Sequence, residues 1–190
     1  MKMRIIPLTL LLGSTAIHAG NQGLYVGGGI GLGSLKPPSS LYVDREAGFG
    51  GRAFLGYNFN QYFGLETDYA AIGSRKYTSS FFPNTTTKYS LDAISLVGKV
   101  YLPLADDSPL SIYGLVGGAQ MRDKYSNNGW FSRAINNTAY VPTAGLGLNY
   151  DFSQRFSAGV ELSGYGKKND ANSYNLPYSA LGTLSLGYRF

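Results

Sequence analysis

The residue types that usually perform covalent catalysis are scarce in this 190-residue chain. It contains no Cys, and its single His is His18. Activated Ser or Cys nucleophiles normally need a neighbouring base such as His, so no triad or dyad can be assembled beyond residue 19. Glu66 and Asp68 could act as an acid and base pair. Two carboxylates spaced two apart on one strand, among cations, are more typical of a structural ion-pair group. We therefore expect no enzyme activity, no cofactor and no metal site.

Charged residues could instead pair with one another inside the protein. Six of them share the polar face of segments in which apolar and polar residues alternate, and they balance as three cations and three anions: Arg52, Glu66, Asp68, Lys99, Glu161 and Arg189. Alternation with a period of two places all polar side chains of a strand on one face. We expect Arg52, Glu66, Lys99 and Glu161 to form a buried ion-pair network.

The segments that must position these charges number eight. They span residues 24–34, 47–59, 62–73, 88–102, 110–121, 138–152, 156–166 and 178–190. The face of the fifth segment stays open, because Tyr113, Leu115 and Ala119 compete with Ile112 and Val116 on the opposite side. Long polar connections follow the odd-numbered segments and short ones the even-numbered segments. This pattern predicts an all-β protein, an eight-stranded antiparallel up-and-down transmembrane β-barrel.

Composition and the amino terminus agree with export to a membrane. Residues 1–19 carry Lys2 and Arg4, then an apolar run, and end in Ala19, which predicts a signal peptide and leaves 20–190 as the barrel domain. Without Lys2 and Arg4, 14 basic residues face 11 acidic ones, an excess too small to indicate nucleic-acid binding. The mean hydropathy of −0.10 suits strands with one apolar face.

Four stretches carry a resemblance to a known family. They are YVGGGIGLG near the amino terminus, GYNFNQYFGLE at 56–66, GLGLNYDFSQRFSAGVE at 145–161 and the terminal GYRF. The chain resembles the eight-stranded barrels of the OmpA/OmpX and opacity-protein superfamily. The resemblance implies a bacterial outer-membrane location and a similar lumenal ion-pair network. It also implies a terminal signal for the outer-membrane insertion machinery, formed by Leu184, Leu186, Tyr188 and Phe190. We expect no periplasmic peptidoglycan-binding domain, and hence no cell-wall tethering.

The outer loops are the expected place for specific binding, because loops vary freely on a rigid barrel. Candidate contacts combine cations with aromatic residues: Arg75, Lys76, Phe81, Phe82, Trp130, Phe131, Arg133, Lys167 and Lys168. Such surfaces suit host glycans or proteins, or the phosphates of lipopolysaccharide. The alternative is that they contact membrane lipid at the rim. The sequence thus favours a structural barrel that displays four extracellular loops for adhesion or host-surface interaction; a narrow channel for small solutes is the alternative.

Overall fold

The protein is a closed antiparallel barrel. The computed structural model describes residues 22–35, 46–78, 86–105, 108–127, 133–166 and 178–190. The strands are β1 (Gly23–Leu35), β2 (Glu46–Asn58), β3 (Phe63–Thr78), β4 (Thr86–Pro103), β5 (Leu110–Asn127), β6 (Arg133–Asp151), β7 (Phe156–Tyr165) and β8 (Ser179–Arg189). Each pairs with the next, and β8 closes the ring on β1. In this part of the chain no helix is long and apolar enough to cross a membrane. The predicted fold class is confirmed.

The barrel has an apolar outside and a mixed interior. Outward positions hold large apolar side chains such as Ile30, Leu146 and Leu184, which are more than 60% exposed. Inward positions alternate with them and are buried or half-buried. The open question of the fifth strand is settled, because Tyr113 and Leu115 point into the barrel and Ile112 and Val116 point outward. Both faces of β5 are apolar because the lumen itself is partly apolar at that level.

Two outer hairpins are longer than the sequence indicates. β3 and β4 stay paired out to Thr78 and Thr86, and β5 and β6 out to Asn127 and Arg133. Residues 74–78, 86–87, 122–127 and 133–137 are therefore strand, and the prediction that they lie in loops was wrong. Beyond the apolar band both faces of a strand meet polar surroundings, so the alternation that reveals strands fades there.

Side-chain oxygens fix two of the short turns at the other end of the barrel. The Asn60 Oδ1 accepts from the backbone N–H groups of Tyr62, at 2.8 Å, and Phe63, at 2.9 Å. The Ser153 Oγ similarly accepts from the N–H groups of Arg155 and Phe156. Such side chains replace backbone partners where the chain reverses, which explains the predicted turns at these positions.

A β-bulge narrows the barrel near its loop end. The register between β3 and β4 shifts around Ile72, whose side chain is fully buried. The bulged backbone comes so near β1 that a Cβ atom added at Gly33 would overlap the carbonyl oxygen of Ile72. Gly33 therefore allows β1 and β3, which are not neighbours in the ring, to approach each other across the lumen.

We expect Gly33→Ala to lower the free energy of unfolding by about 1 to 3 kcal/mol, because the added methyl group forces backbone apart in a packed interior. Urea unfolding of the refolded protein in detergent micelles would measure the change. Gly118→Ala is the matched control, because a Cβ atom there meets nothing within 4 Å, so its change should stay within about 0.5 kcal/mol. Equal effects of both substitutions would refute the close approach.

Candidate functional site

Two cations and two carboxylates meet in the middle of the lumen. The Arg52 guanidinium contacts Glu66 through one nitrogen and Glu161 through another. The Lys99 Nζ lies 2.7 Å from Glu66 Oε2 and 3.5 Å from Glu161 Oε2. All four side chains are buried. The structure thus brings together the four residues that the sequence analysis grouped, and we call them the lumenal network.

Two tyrosines position the carboxylates of this network. The same arrangement occurs twice, in rows of directly paired residues: Tyr25, Gly56 and Glu66 on β1 to β3, and Tyr113, Gly147 and Glu161 on β5 to β7. In each row the tyrosine ring lies over the glycine, and a side chain at the glycine position would overlap that ring. The hydroxyl groups then donate to Glu66 at 2.9 Å and to Glu161 at 2.8 Å. Sequence reasoning missed both tyrosines. The available signal was Tyr25, because the next four inward positions of β1 are all glycine.

The other two charges predicted to point inward have different surroundings. Asp68 lies beside the network, where its Oδ2 is 3.6 Å from Arg52 and accepts a hydrogen bond from the Ser95 hydroxyl at 2.7 Å. Arg189 lies at the short-turn end, 3.4 Å from Asp151. The central group therefore holds three carboxylates and two cations, and Arg189 lies apart from it while still lining the lumen. Because Glu66 and Asp68 both face Arg52, their geometry is that of an ion-pair group.

The lumen differs on the two sides of the network. On the loop side, buried apolar residues from β3 to β8 fill it: Ala70, Ile72, Leu91, Ala93, Ala119, Met121, Ala139, Val141, Tyr165 and Leu181. On the short-turn side lies a cavity of about 50 Å³, lined by polar groups that include Asn58 and Asp151. That volume admits only a few water molecules. Within the described residues, side chains that are mostly apolar thus fill the loop-side half of the lumen.

A second buried carboxylate lies nearer the loops. Asp123 of β5 is 2% exposed, and its Oδ1 has no hydrogen-bond partner among the described residues. It lies beyond the apolar band, because the outward residues of β5 are polar from Gln120 onward. Burial raises the pKa of Asp123 to about 6, since a carboxylate without a partner is less stable than a carboxyl group away from water.

The predicted loop contacts divide into two groups. Arg75 and Lys76 lie in β3 and Arg133 in β6, so they belong to the extended hairpins and not to loops, which corrects the prediction. The others, Phe81, Phe82, Trp130, Phe131, Lys167 and Lys168, lie outside the described residues. The predicted signal peptide also lies outside them and stays a prediction. The described residues hold no group of three or more potential metal ligands.

The predicted insertion signal lies on the outer face of β8. Leu184, Leu186 and Phe190 are exposed, and Tyr188 is half-buried between two aromatic rings. Its ring centroid lies 5.1 Å from that of Phe156 and 5.1 Å from that of Phe190. With Phe152, these rings form part of an aromatic border at the short-turn end. Such borders mark the level where a barrel meets the membrane interface.

A closed barrel with an apolar belt, an aromatic border and a charged interior is the architecture of bacterial outer-membrane β-barrel proteins. Residues 5–190 match the model of the family described as "Outer membrane protein beta-barrel domain". The chain belongs to this family and is a protein of the bacterial outer membrane, as the sequence predicted.

Relatives and solved structures agree with this assignment. The chain is 27% identical to outer membrane protein A of Salmonella typhi over 172 residues, which are 87% of this chain and 48% of that protein. It spans less than half the length of the curated relatives it matches. Neisserial surface protein A has a similar fold, with a TM-score of 0.66, 17% identity, and coverage of 88% and 97% of the two chains. The attachment invasion locus protein Ail of Yersinia pestis was solved with the heparin analogue sucrose octasulfate. It has a TM-score of 0.61 and 16% identity, with coverage of 90% of this chain and 99% of that chain.

Replacing Lys99 by Met should lower the free energy of unfolding by about 3 to 5 kcal/mol, because the buried carboxylates of Glu66 and Glu161 lose a cation. Urea unfolding in detergent micelles would measure it. Arg155→Met is the control, because Arg155 is exposed at a short turn, where removing a cation should change the free energy of unfolding by about 0.5 kcal/mol or less. A Lys99→Met protein as stable as wild type would mean that the network adds nothing to stability.

Asp123→Asn should stabilise the protein at pH 8 by about 1 to 3 kcal/mol, because it removes an uncompensated buried charge. With a folded-state pKa of about 6 against an ordinary 3.8, the folded protein takes up a proton as the pH falls. The penalty therefore shrinks below pH 6 and is absent below the unfolded-state value. Unfolding of both proteins at pH 8 and pH 4 would test this. A difference between them that does not change with pH would count against it.

Proposed function

We propose that this chain is a non-catalytic structural protein of the outer membrane, whose sealed barrel presents four extracellular loops that bind acidic glycans of a host surface. The observation that carries the proposal is the filling of the lumen. Charged side chains there pair with one another, and apolar side chains occupy the space on the loop side. A barrel with such an interior serves as a rigid support for its loops.

The interior has little capacity for transport. A solute crossing the barrel would have to part buried ion pairs and then a tightly packed apolar layer, and either step costs several kcal/mol. The neighbouring cavity, of about 50 Å³, is too small for anything but water. These features favour a support over the alternative of a narrow channel. The absence of Cys, and of His beyond His18, supports the non-catalytic assignment, because the familiar nucleophile and base pairs cannot be formed.

Glycan binding is supported by charge and by likeness of fold. The outer hairpins and loops carry the cations Arg75, Lys76, Arg133, Lys167 and Lys168 together with Trp130 and other aromatic residues. Cations attract sulfate and carboxylate groups, and aromatic faces stack on sugar rings. Ail, which shares the fold, was solved in complex with a heparin analogue. The same chemistry would suit sulfated glycans here.

Wild-type protein in lipid nanodiscs should bind a heparin-type oligosaccharide, with an affinity that falls as salt rises. Lys167→Gln and Lys168→Gln, made singly and together, should weaken binding, by about three- to tenfold for the pair. Arg155→Gln is the control, because Arg155 is exposed at a periplasmic turn. Surface plasmon resonance would supply the affinities.

Three results would contradict the proposal. Absence of glycan binding would remove the adhesive role, and equal weakening by the Arg155 control would show that the attraction is not located in the loops. Steady single-channel conductance of the wild-type protein in planar bilayers would refute the sealed barrel and support a channel.

A further inference from the structure

An apolar groove runs along the outer face of the barrel near its loop end. It follows β5 and is lined by Ile94 and Leu96 of β4, Gly118 of β5, and Tyr140 and Pro142 of β6. Leu96, Gly118 and Pro142 form one directly paired row. No atom of the described residues lies within 4 Å of the place where a Gly118 side chain would start. The floor of the groove is therefore low, while the flanking Tyr140 and Leu96 stand out from the surface.

Cations lie directly above this groove, toward the loops. Arg122 and Lys124 are on the same outward face of β5, four and six residues beyond Gly118, and both are exposed. Lys124 Nζ lies 3.3 Å from Asp92 Oδ1. Asp92 is also the strand partner of Arg122, so among the described side chains of this face one carboxylate lies beside two cations, which leaves an excess of positive charge at the edge of the apolar band.

Neighbouring polar groups hold Arg122 in place. Its guanidinium donates to the Gln120 Oε1 at 3.4 Å, and the Gln120 amide donates to the Tyr140 hydroxyl at 2.8 Å. This chain of hydrogen bonds forms the upper rim of the groove. At about 3.3 Å per residue, the backbone of Arg122 is on the order of 13 Å along the strand from Gly118. A charged head and an apolar tail on one molecule could occupy both places.

We propose that this surface binds one phosphorylated glycolipid of the outer leaflet. Its phosphate lies against Arg122 and Lys124, and one acyl chain lies in the groove over Gly118. The loop end of an outer-membrane barrel is the extracellular end, so the cations are at the level of the outer-leaflet head groups. Charge complementarity selects an anionic head, and the groove selects an acyl chain. The inference rests on the outer-membrane location and is independent of glycan binding by the loops.

Purified protein, refolded in detergent without glycolipid, would be titrated with bisphosphorylated lipid A and followed by native mass spectrometry. Wild type should retain one lipid A molecule. The double variant Arg122→Gln, Lys124→Gln should bind it about tenfold or more weakly, because two cations near a phosphate are lost. Gly118→Leu should bind several-fold more weakly, because its side chain fills the groove.

Two variants provide matched controls. Gly182→Leu adds the same side chain at an outward glycine of β8, where the atoms nearest to an added Cβ lie about 4 Å away. Arg155→Gln removes a cation from the opposite end of the barrel. Both should bind lipid A within about twofold of wild type. A slower-migrating band after boiling would verify that each variant is folded before its binding is compared.

Other outcomes would overturn the proposal. Equal binding of dephosphorylated lipid A by the wild-type protein would show that the cations do not recognise phosphate. Equal binding of phosphatidylglycerol would indicate a general anionic-lipid contact and not a glycolipid site. Unchanged affinity in the double variant, or equal weakening by Gly182→Leu and Gly118→Leu, would show that this surface is not where the lipid binds.

Discussion

The cost of keeping charge away from water governs the interior of this barrel. Arg52, Lys99, Glu66 and Glu161 are buried within a ring of strands surrounded by membrane, where an unpaired ion costs several kcal/mol. Each must therefore reach a partner, and the partners come from β2, β3, β4 and β7. Strand register matters for the same reason, because a slip of one residue would turn a charge toward lipid.

The space around these charges follows from that requirement. Tyrosine hydroxyl groups reach the two glutamates only because the facing strands carry glycine under each ring. Above the network the requirement changes, because Asp123 is the only further charge that the described side chains place in the lumen there. Small and branched apolar residues fill the lumen, and the bulge at Ile72 brings β3 close to β1. Along the barrel axis, the layer of paired charges is thus followed by a layer of packed, mostly apolar side chains.

Much of this arrangement was predictable because a barrel imposes one rule on every strand. Alternation indicated the eight strands, the outward face of seven of them and six inward charges, and the resemblance to OmpA-type barrels supported the grouping of four of those charges. Alternation was uninformative where the two faces of a strand have the same polarity. On β5 both lipid and lumen are apolar, so Tyr113 could not be placed. In the outer hairpins both faces are polar, so strand continued unnoticed to Thr78 and Asn127. The bulge at Ile72 and the position of Asp68 beside Arg52 depend on packing between strands distant in sequence, which no local pattern records.

The contact between Arg52 and Glu161 has a mechanical consequence. It joins β2 to β7, two strands that are not neighbours in the ring, and Lys99 joins β4 to β7 in the same way. A barrel held only by pairing between adjacent strands can change its cross-section from a circle to an ellipse. Ion pairs that cross the lumen between non-adjacent strands resist that deformation. The outer ends of the strands are then held at fixed separations, so segments anchored there lose less freedom when they engage a partner.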